Sequence, residues 1–171
     1  MTRSTCLLRS SRNTATPSQS NPILQRSSTT GAQRLSEHAV KKTEAQASVL
    51  YARADQNFAT ALEIVPGDPP TLSNWAASLM LRATERSAED SSRLLERAWH
   101  MCIAAESTRP GSAAYNLACI SALRGRNDDC KHWLQTSQDY KLLPPREHLL
   151  RDKDLQGIHR SIWFQEFVSR L

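Results

Sequence analysis

The chain has 171 residues, of which 39% are hydrophobic and five are glycine, a composition that fits one soluble, helix-rich domain. No apolar run is long enough for a transmembrane helix, so we expect no membrane span. The net charge of +5 belongs to the N-terminus: positions 1–36 hold five arginines and no lysine or acid, leaving seventeen basic and seventeen acidic residues elsewhere. Because that remainder is neutral, we do not expect a nucleic-acid partner.

Residues 1–35 are predicted to form a disordered leader. The segment is rich in serine, threonine and arginine and lacks acids, as mitochondrial and plastid transit peptides do. Pro17 and Pro22 would interrupt any long helix within it. An untargeted disordered tail would have the same composition, so two intracellular locations stay open: an organelle, or otherwise the cytoplasm.

The cysteines and histidines show no pattern typical of a metal site. Cys6, Cys102, Cys119 and Cys130 form no CxxC pair, and no histidine pair has the HExxH spacing. The sequence also lacks a glycine-rich phosphate-binding loop. We therefore expect reduced thiols and neither a disulfide, nor a metal, nor any other cofactor.

Two short patterns recur after residue 36. The first places a small residue, a larger apolar residue, alanine and proline at fixed spacing. Its copies are Ala54-Phe58-Ala61-Pro66 and Ala98-Cys102-Ala105-Pro110. The second pattern is Asn74-Trp75-Ala76, repeated as Asn116-Leu117-Ala118. In both copies of the first pattern, the proline would end an apolar-striped helix, which indicates a helical repeat.

These motifs resemble the tetratricopeptide repeat, a helix–turn–helix unit of about 34 residues with the pattern W-x2-L-G-x2-Y…A-x3-F…P. YNLACISALRG resembles the first helix and turn of a unit, with Tyr115 and Gly125 in their expected places. RNDDCKHWLQTSQ resembles the second helix, with Cys130 where the family usually has alanine. The resemblance implies an all-α fold, a short right-handed α-solenoid of helix pairs over residues 36–140.

Two parts of this region depart from the family pattern. Residues 36–50 lack the aromatic–leucine–glycine signature, and we expect one long helix from Ser36 to about Val65. The middle unit is longer than a standard repeat by about ten residues, and Ser87 has the character of a helix start. These features predict a lengthened hairpin near residues 84–93.

Residues 141–171 are expected to form a C-terminal capping segment. Asp154 is predicted to start a short helix there. The apolar residues Ile162, Trp163, Phe167 and Leu171 have the spacing of one helix face. Such a face would cover the open apolar end of the last helix pair.

The resemblance also implies a function in binding. In tetratricopeptide folds, the first helix of each pair lines a concave groove that takes an extended or helical peptide. Asn74 and Asn116 occupy equivalent places and are the predicted partner-binding residues, since an amide can both donate to and accept from a main chain. We therefore expect a non-catalytic protein–protein interaction adaptor or assembly factor whose partner is a protein or peptide. Open solenoid ends also allow a homo-oligomer.

A Cys-dependent enzyme or thiol protein is the alternative. It would use Cys119 or Cys130 as the nucleophile and His132 as the base. Cys130 and His132 are two residues apart on one predicted helix and so point in different directions. No family signature surrounds Cys119, so we expect no catalytic residue and packing roles for both thiols.

Overall fold

The structure is a computed structural model that describes residues 22–39, 42–84 and 86–171. This part of the chain is helical and contains no strand, in agreement with the predicted all-α class. The elements in order are α1 (Pro22–Ala39), α2 (Glu44–Ile64), α3 (Pro69–Ala83), α4 (Ala88–Thr108), α5 (Ala114–Leu123), α6 (Asn127–Asp139), α7 (Arg146–Arg151), a 3-10 helix (Lys153–Ile158) and α8 (Ile162–Ser169). None of these helices has the length and apolar character needed to cross a membrane.

The longer helices pack as consecutive pairs, α1 with α2, α3 with α4 and α5 with α6. In addition, α1 contacts α3 and α3 contacts α5, so the first helices of the pairs lie side by side. The hydroxyl oxygens of Thr29 and Thr71 are 3.0 Å apart, and those of Ser36 and Ser78 are 2.6 Å apart, each pair separated by 42 residues. Helices α1 and α3 therefore run in the same direction, with a period longer than the standard repeat of about 34 residues.

The second helices of the pairs bury the recurring small and apolar residues. On α2 the buried residues are Ala47, Tyr51, Ala54, Phe58 and Ala61. On α4 they are Leu95, Ala98, Cys102 and Ala105. Each set recurs every three or four positions and so forms one helix face. Both copies of the pattern found in the sequence thus occupy buried faces, and small side chains there let neighbouring helices approach closely.

Large aromatic residues fill the spaces between neighbouring pairs. The rings of Phe58 on α2 and Trp75 on α3 stack with centroids 5.7 Å apart. Trp99 on α4 meets Trp133 on α6 edge to face at 6.3 Å. Such contacts add to the apolar area already buried and hold one pair against the next.

Local signals determine where several helices begin and end. The Asp68 side chain accepts a hydrogen bond from the Thr71 amide at 2.9 Å and starts α3. Ser87 caps α4 in the same way, which confirms the helix start predicted there and the turn of the expected hairpin. Gly125 lies between α5 and α6 with a φ of 69°, a left-handed conformation that glycine adopts without strain.

The start of α1 differs from the predicted leader boundary. Residues 22–35 belong to this helix, whereas the sequence predicted a disordered segment there. Pro22 is its first residue, a position that tolerates proline because the first N–H groups of a helix have no partner within the helix. Residues 1–21 lie outside the described residues, and the prediction of a transit peptide falls on them.

The prediction of one long helix from Ser36 to about Val65 is wrong. Helix α1 ends at Ala39, and the chain folds back so that α2 packs against α1. Ala39 is buried with Ala47 and Tyr51 in a small cluster between the two helices. Folding back buries these apolar residues, which one continuous helix would leave in solvent.

The C-terminal segment packs on α5 through the 3-10 helix. The predicted helix start lies two residues after the observed cap. Asp152, and not Asp154, precedes the helix, and its side chain accepts a hydrogen bond from the Asp154 amide at 2.9 Å. The buried residues of this short helix are Leu155 and Ile158, which join the main core.

The predicted apolar face of the last helix is only partly correct. Helix α8 buries Phe164, Phe167 and Val168. Ile162 is 75% exposed, and Leu171 follows the end of the helix and is 45% exposed. The buried face is therefore displaced around the helix from the predicted one, because the helix is short and its packing on the core sets which side faces inward.

Candidate functional site

A groove of about 760 Å³ runs across the first helices of all three pairs and ends at the C-terminal segment. Helix α1 contributes Ser36 and Glu37, and α3 contributes Ala77 and Leu81. Tyr115 on α5 lies near the other end, beside residues 148–154. Because α1, α3 and α5 lie side by side, their exposed faces form one continuous surface with apolar and polar patches.

Both predicted partner-binding residues line this groove. Asn74 lies on α3 and Asn116 on α5, and both are partly buried. The Asn116 amide nitrogen donates to the main-chain oxygen of Ser73 at 3.1 Å, so this side chain also joins α5 to α3. Asn74 makes no side-chain hydrogen bond to any residue that the structure describes. Asn74 is thus available to a ligand, whereas Asn116 already has a structural role.

Asp152 organises the end of the groove near the C-terminal segment. Its Oδ2 accepts a hydrogen bond from the Tyr115 hydroxyl at 2.6 Å and lies 3.9 Å from the Cys119 sulfur. The imidazole Nε2 of His148 is 3.7 Å away from the same oxygen. The sequence predicted a helix start at Asp154 but not these contacts, because nothing in the spacing showed that Asp152 would meet Tyr115.

Asp154 lies beside this cluster, and its carboxyl is harder to ionise than that of an ordinary aspartate. Burial raises the pKa of its carboxyl to about 6, and the negative charge of Asp152 adds to the effect. Among the described residues, none donates a hydrogen bond to this carboxyl or forms an ion pair with it. This end of the groove therefore holds Asp152, which is hydrogen-bonded, and Asp154, which is partly buried with no partner among the described residues.

The same end of the groove contains atoms that are able to ligate a metal ion. The Cys119 sulfur and one carboxylate oxygen each from Asp152 and Asp154 lie within 4.8 Å of one another. Two observations weigh against such a role. Asp152 is already engaged by Tyr115, and burial raises the pKa of the Cys119 thiol well above its usual range, which opposes the thiolate that a metal requires.

The geometry also bears on the alternative of a thiol enzyme. Burial raises the pKa values of Cys102 and Cys130 to about 12. These thiols and Cys119 are buried and protonated, the opposite of the exposed thiolate that a nucleophile needs. His132 is exposed and packs its ring on Trp133 at 4.9 Å, and no hydrogen bond links it to a cysteine within the described part of the chain.

Comparisons of the chain with protein-family models, with curated proteins and with solved structures find no match. Membership of the tetratricopeptide family therefore stays a prediction from the residues quoted above.

Proposed function

We propose that the protein is a non-catalytic adaptor or assembly factor that binds a segment of another protein in the groove. The observation that carries this proposal is the continuity of the groove across α1, α3 and α5, with Asn74 available inside it. Its volume of about 760 Å³ is of the size that ligand-binding clefts have. A flat helical surface would offer no such depth.

The dimensions of the groove suit a short stretch of main chain. Three helices packed side by side at roughly 8–10 Å span about 20 Å, the length of about six extended residues. Apolar side chains such as Ala77 and Leu81 give a ligand surface to bury, while the Asn74 amide, which no described residue pairs, can pair with a main-chain N–H or C=O. These are the features by which grooves in helical proteins recognise peptides.

The proposal includes the architecture that the resemblance implies, a short right-handed α-solenoid of tetratricopeptide-like pairs. The parallel course of α1 and α3 and the contact of α3 with α5 support it. The burial of both copies of the recurring pattern on α2 and α4 supports it as well. In such a stack the first helices face the ligand and the second helices face away.

The experiment begins with a random-peptide library selected against the full chain. Ala77 is exposed within the groove, so Ala77→Trp adds bulk there without changing the charge. Ala52, exposed on α2 outside the groove, gives the matched control Ala52→Trp. We expect selected peptides to bind the wild type and Ala52→Trp equally and Ala77→Trp at least about tenfold more weakly. Peptides that bind all three proteins alike would refute the proposal.

A further inference from the structure

The charged side chains around the groove differ in burial and in whether a described residue pairs with them. Glu37, at the α1 side, is exposed and within hydrogen-bond distance of the Gln33 amide at 3.4 Å. Arg151 and Lys153 are exposed at the rim. Of these charged residues, only Asp154 is both partly buried and without a partner among the described residues. A positively charged group would therefore stabilise its carboxylate most.

The neighbours of Asp154 make a positive charge beside it still more favourable. Asp152 brings a second negative charge to within 4.8 Å, and it is held there by the hydroxyl of Tyr115. The Cys119 thiol is neutral because burial raises its pKa. Of the basic groups nearby, His148 lies 3.7 Å from Asp152, while Arg151 and Lys153 form no ion pair with either aspartate in the described structure. The structure thus describes no cation paired with Asp154.

The lining of the groove suits a long cationic side chain. Leu81 lines it and can cover the aliphatic stem of a lysine or arginine. The ring of Tyr115 lines the same end and meets the imidazole of His148 edge to face at 5.8 Å. Asn74 lies on the same helix as the apolar residues, where it can hold the main chain of the ligand.

We propose that the partner segment carries a lysine or arginine whose charged end lies against Asp154 and Asp152 while its main chain follows α3. This inference rests on the proposed function and adds the chemistry of the ligand to it. The partly buried pair gives specificity, because a neutral or acidic residue at that place would leave the carboxylate partly desolvated without a counter-charge. The exposed Arg151 and Lys153 matter less, since solvent and salt screen them.

The test uses peptides selected on the wild-type chain and lost with Ala77→Trp. We expect these peptides to share a lysine or arginine. Binding should weaken at least about tenfold with Asp154→Asn, and equally when the basic residue of the peptide is replaced by norleucine. Glu63→Gln, an exposed change outside the groove that removes the same charge, should leave binding unaltered. Circular dichroism confirms that each variant is folded.

Four results would overturn the inference, and they differ in whether the proposed function also fails. Groove peptides that lack basic residues would refute the prediction of a lysine or arginine in the partner, and so would an affinity that Asp154→Asn leaves unchanged. In both cases the proposed function stands. The failure of any peptide to depend on Ala77 would refute both. Stoichiometric binding of Zn²⁺ that is lost with Asp154→Asn would assign the acidic pair to a metal instead.

Discussion

The substitution Asp154→Asn should stabilise the free protein, an unusual effect for a change at a partly buried residue. The carboxyl titrates near 3.8 in an ordinary environment and at about 6 in the folded protein, because burial and Asp152 oppose its charge. The difference corresponds to about 3 kcal/mol if it acts in full. The side chain is partly exposed and solvent screens it, so we expect a gain of about 1–2 kcal/mol.

The gain must depend on pH in a defined direction. Between pH 3.8 and about 6, the folded protein retains a proton that the unfolded chain has released, so the wild type loses stability as pH rises through this window. Asparagine does not titrate. The advantage of Asp154→Asn is therefore absent at low pH, grows across the window, and is complete above pH of about 6.

Urea unfolding of wild type and variant at several pH values measures this advantage. The control Glu63→Gln, at an exposed position, should change the free energy of unfolding by less than about 0.5 kcal/mol. A destabilised Asp154→Asn at pH 7, or a gain that is the same at every pH, would contradict the electrostatic description of this end of the groove.

Three further predictions concern the framework. Gly125→Ala should lower the free energy of unfolding by about 1–2 kcal/mol, because the φ of Gly125 is 69°. Gly111→Ala should lower it further, because the φ of Gly111 is 84° and an added Cβ would also lie 2.5 Å from the side chain of the tyrosine that follows α6. Equal losses of stability in urea unfolding would contradict the close approach. Tyr115→Phe should cost about 1–2 kcal/mol, with faster amide exchange confined to the C-terminal segment; unchanged exchange there would show that its bond to Asp152 is unimportant. In a Cys6→Ser background, the three buried thiols should react with a thiol reagent only as the protein unfolds in urea, and rapid labelling of the native protein would argue for a reactive cysteine.

Periodic packing could be predicted from the sequence. The small residues that recur with Phe58 and Cys102 are buried, and Asn74 and Asn116 line one groove as their equivalent places indicated. Both results depend on local spacing, which repeats in the chain because each helix pair meets its neighbours in a similar way. The helix start at Ser87 was equally readable, since capping is a local interaction.

Features that depend on distant contacts could not be predicted. The fold-back of α1 requires Ala39 to be buried against Tyr51, and the role of Asp152 requires its contact with Tyr115 on another helix. The displaced face of α8 has the same origin, because the core and not the helix alone decides which residues are buried. The sequence predicted Asp154 only as a helix start. That no described residue supplies a counter-charge to its carboxylate depends on which helices meet at the groove, which the spacing does not show.

The central claim is that a partner segment lies in the groove formed by α1, α3 and α5. A selected peptide carrying a photoreactive leucine, cross-linked to the wild-type chain and mapped by mass spectrometry, tests this location directly. We predict adducts around Asn74 and Ala77 on α3 and around Tyr115 on α5. Adducts concentrated on the exposed faces of α2 and α4 would place the partner on the other side of the helix pairs and contradict the claim.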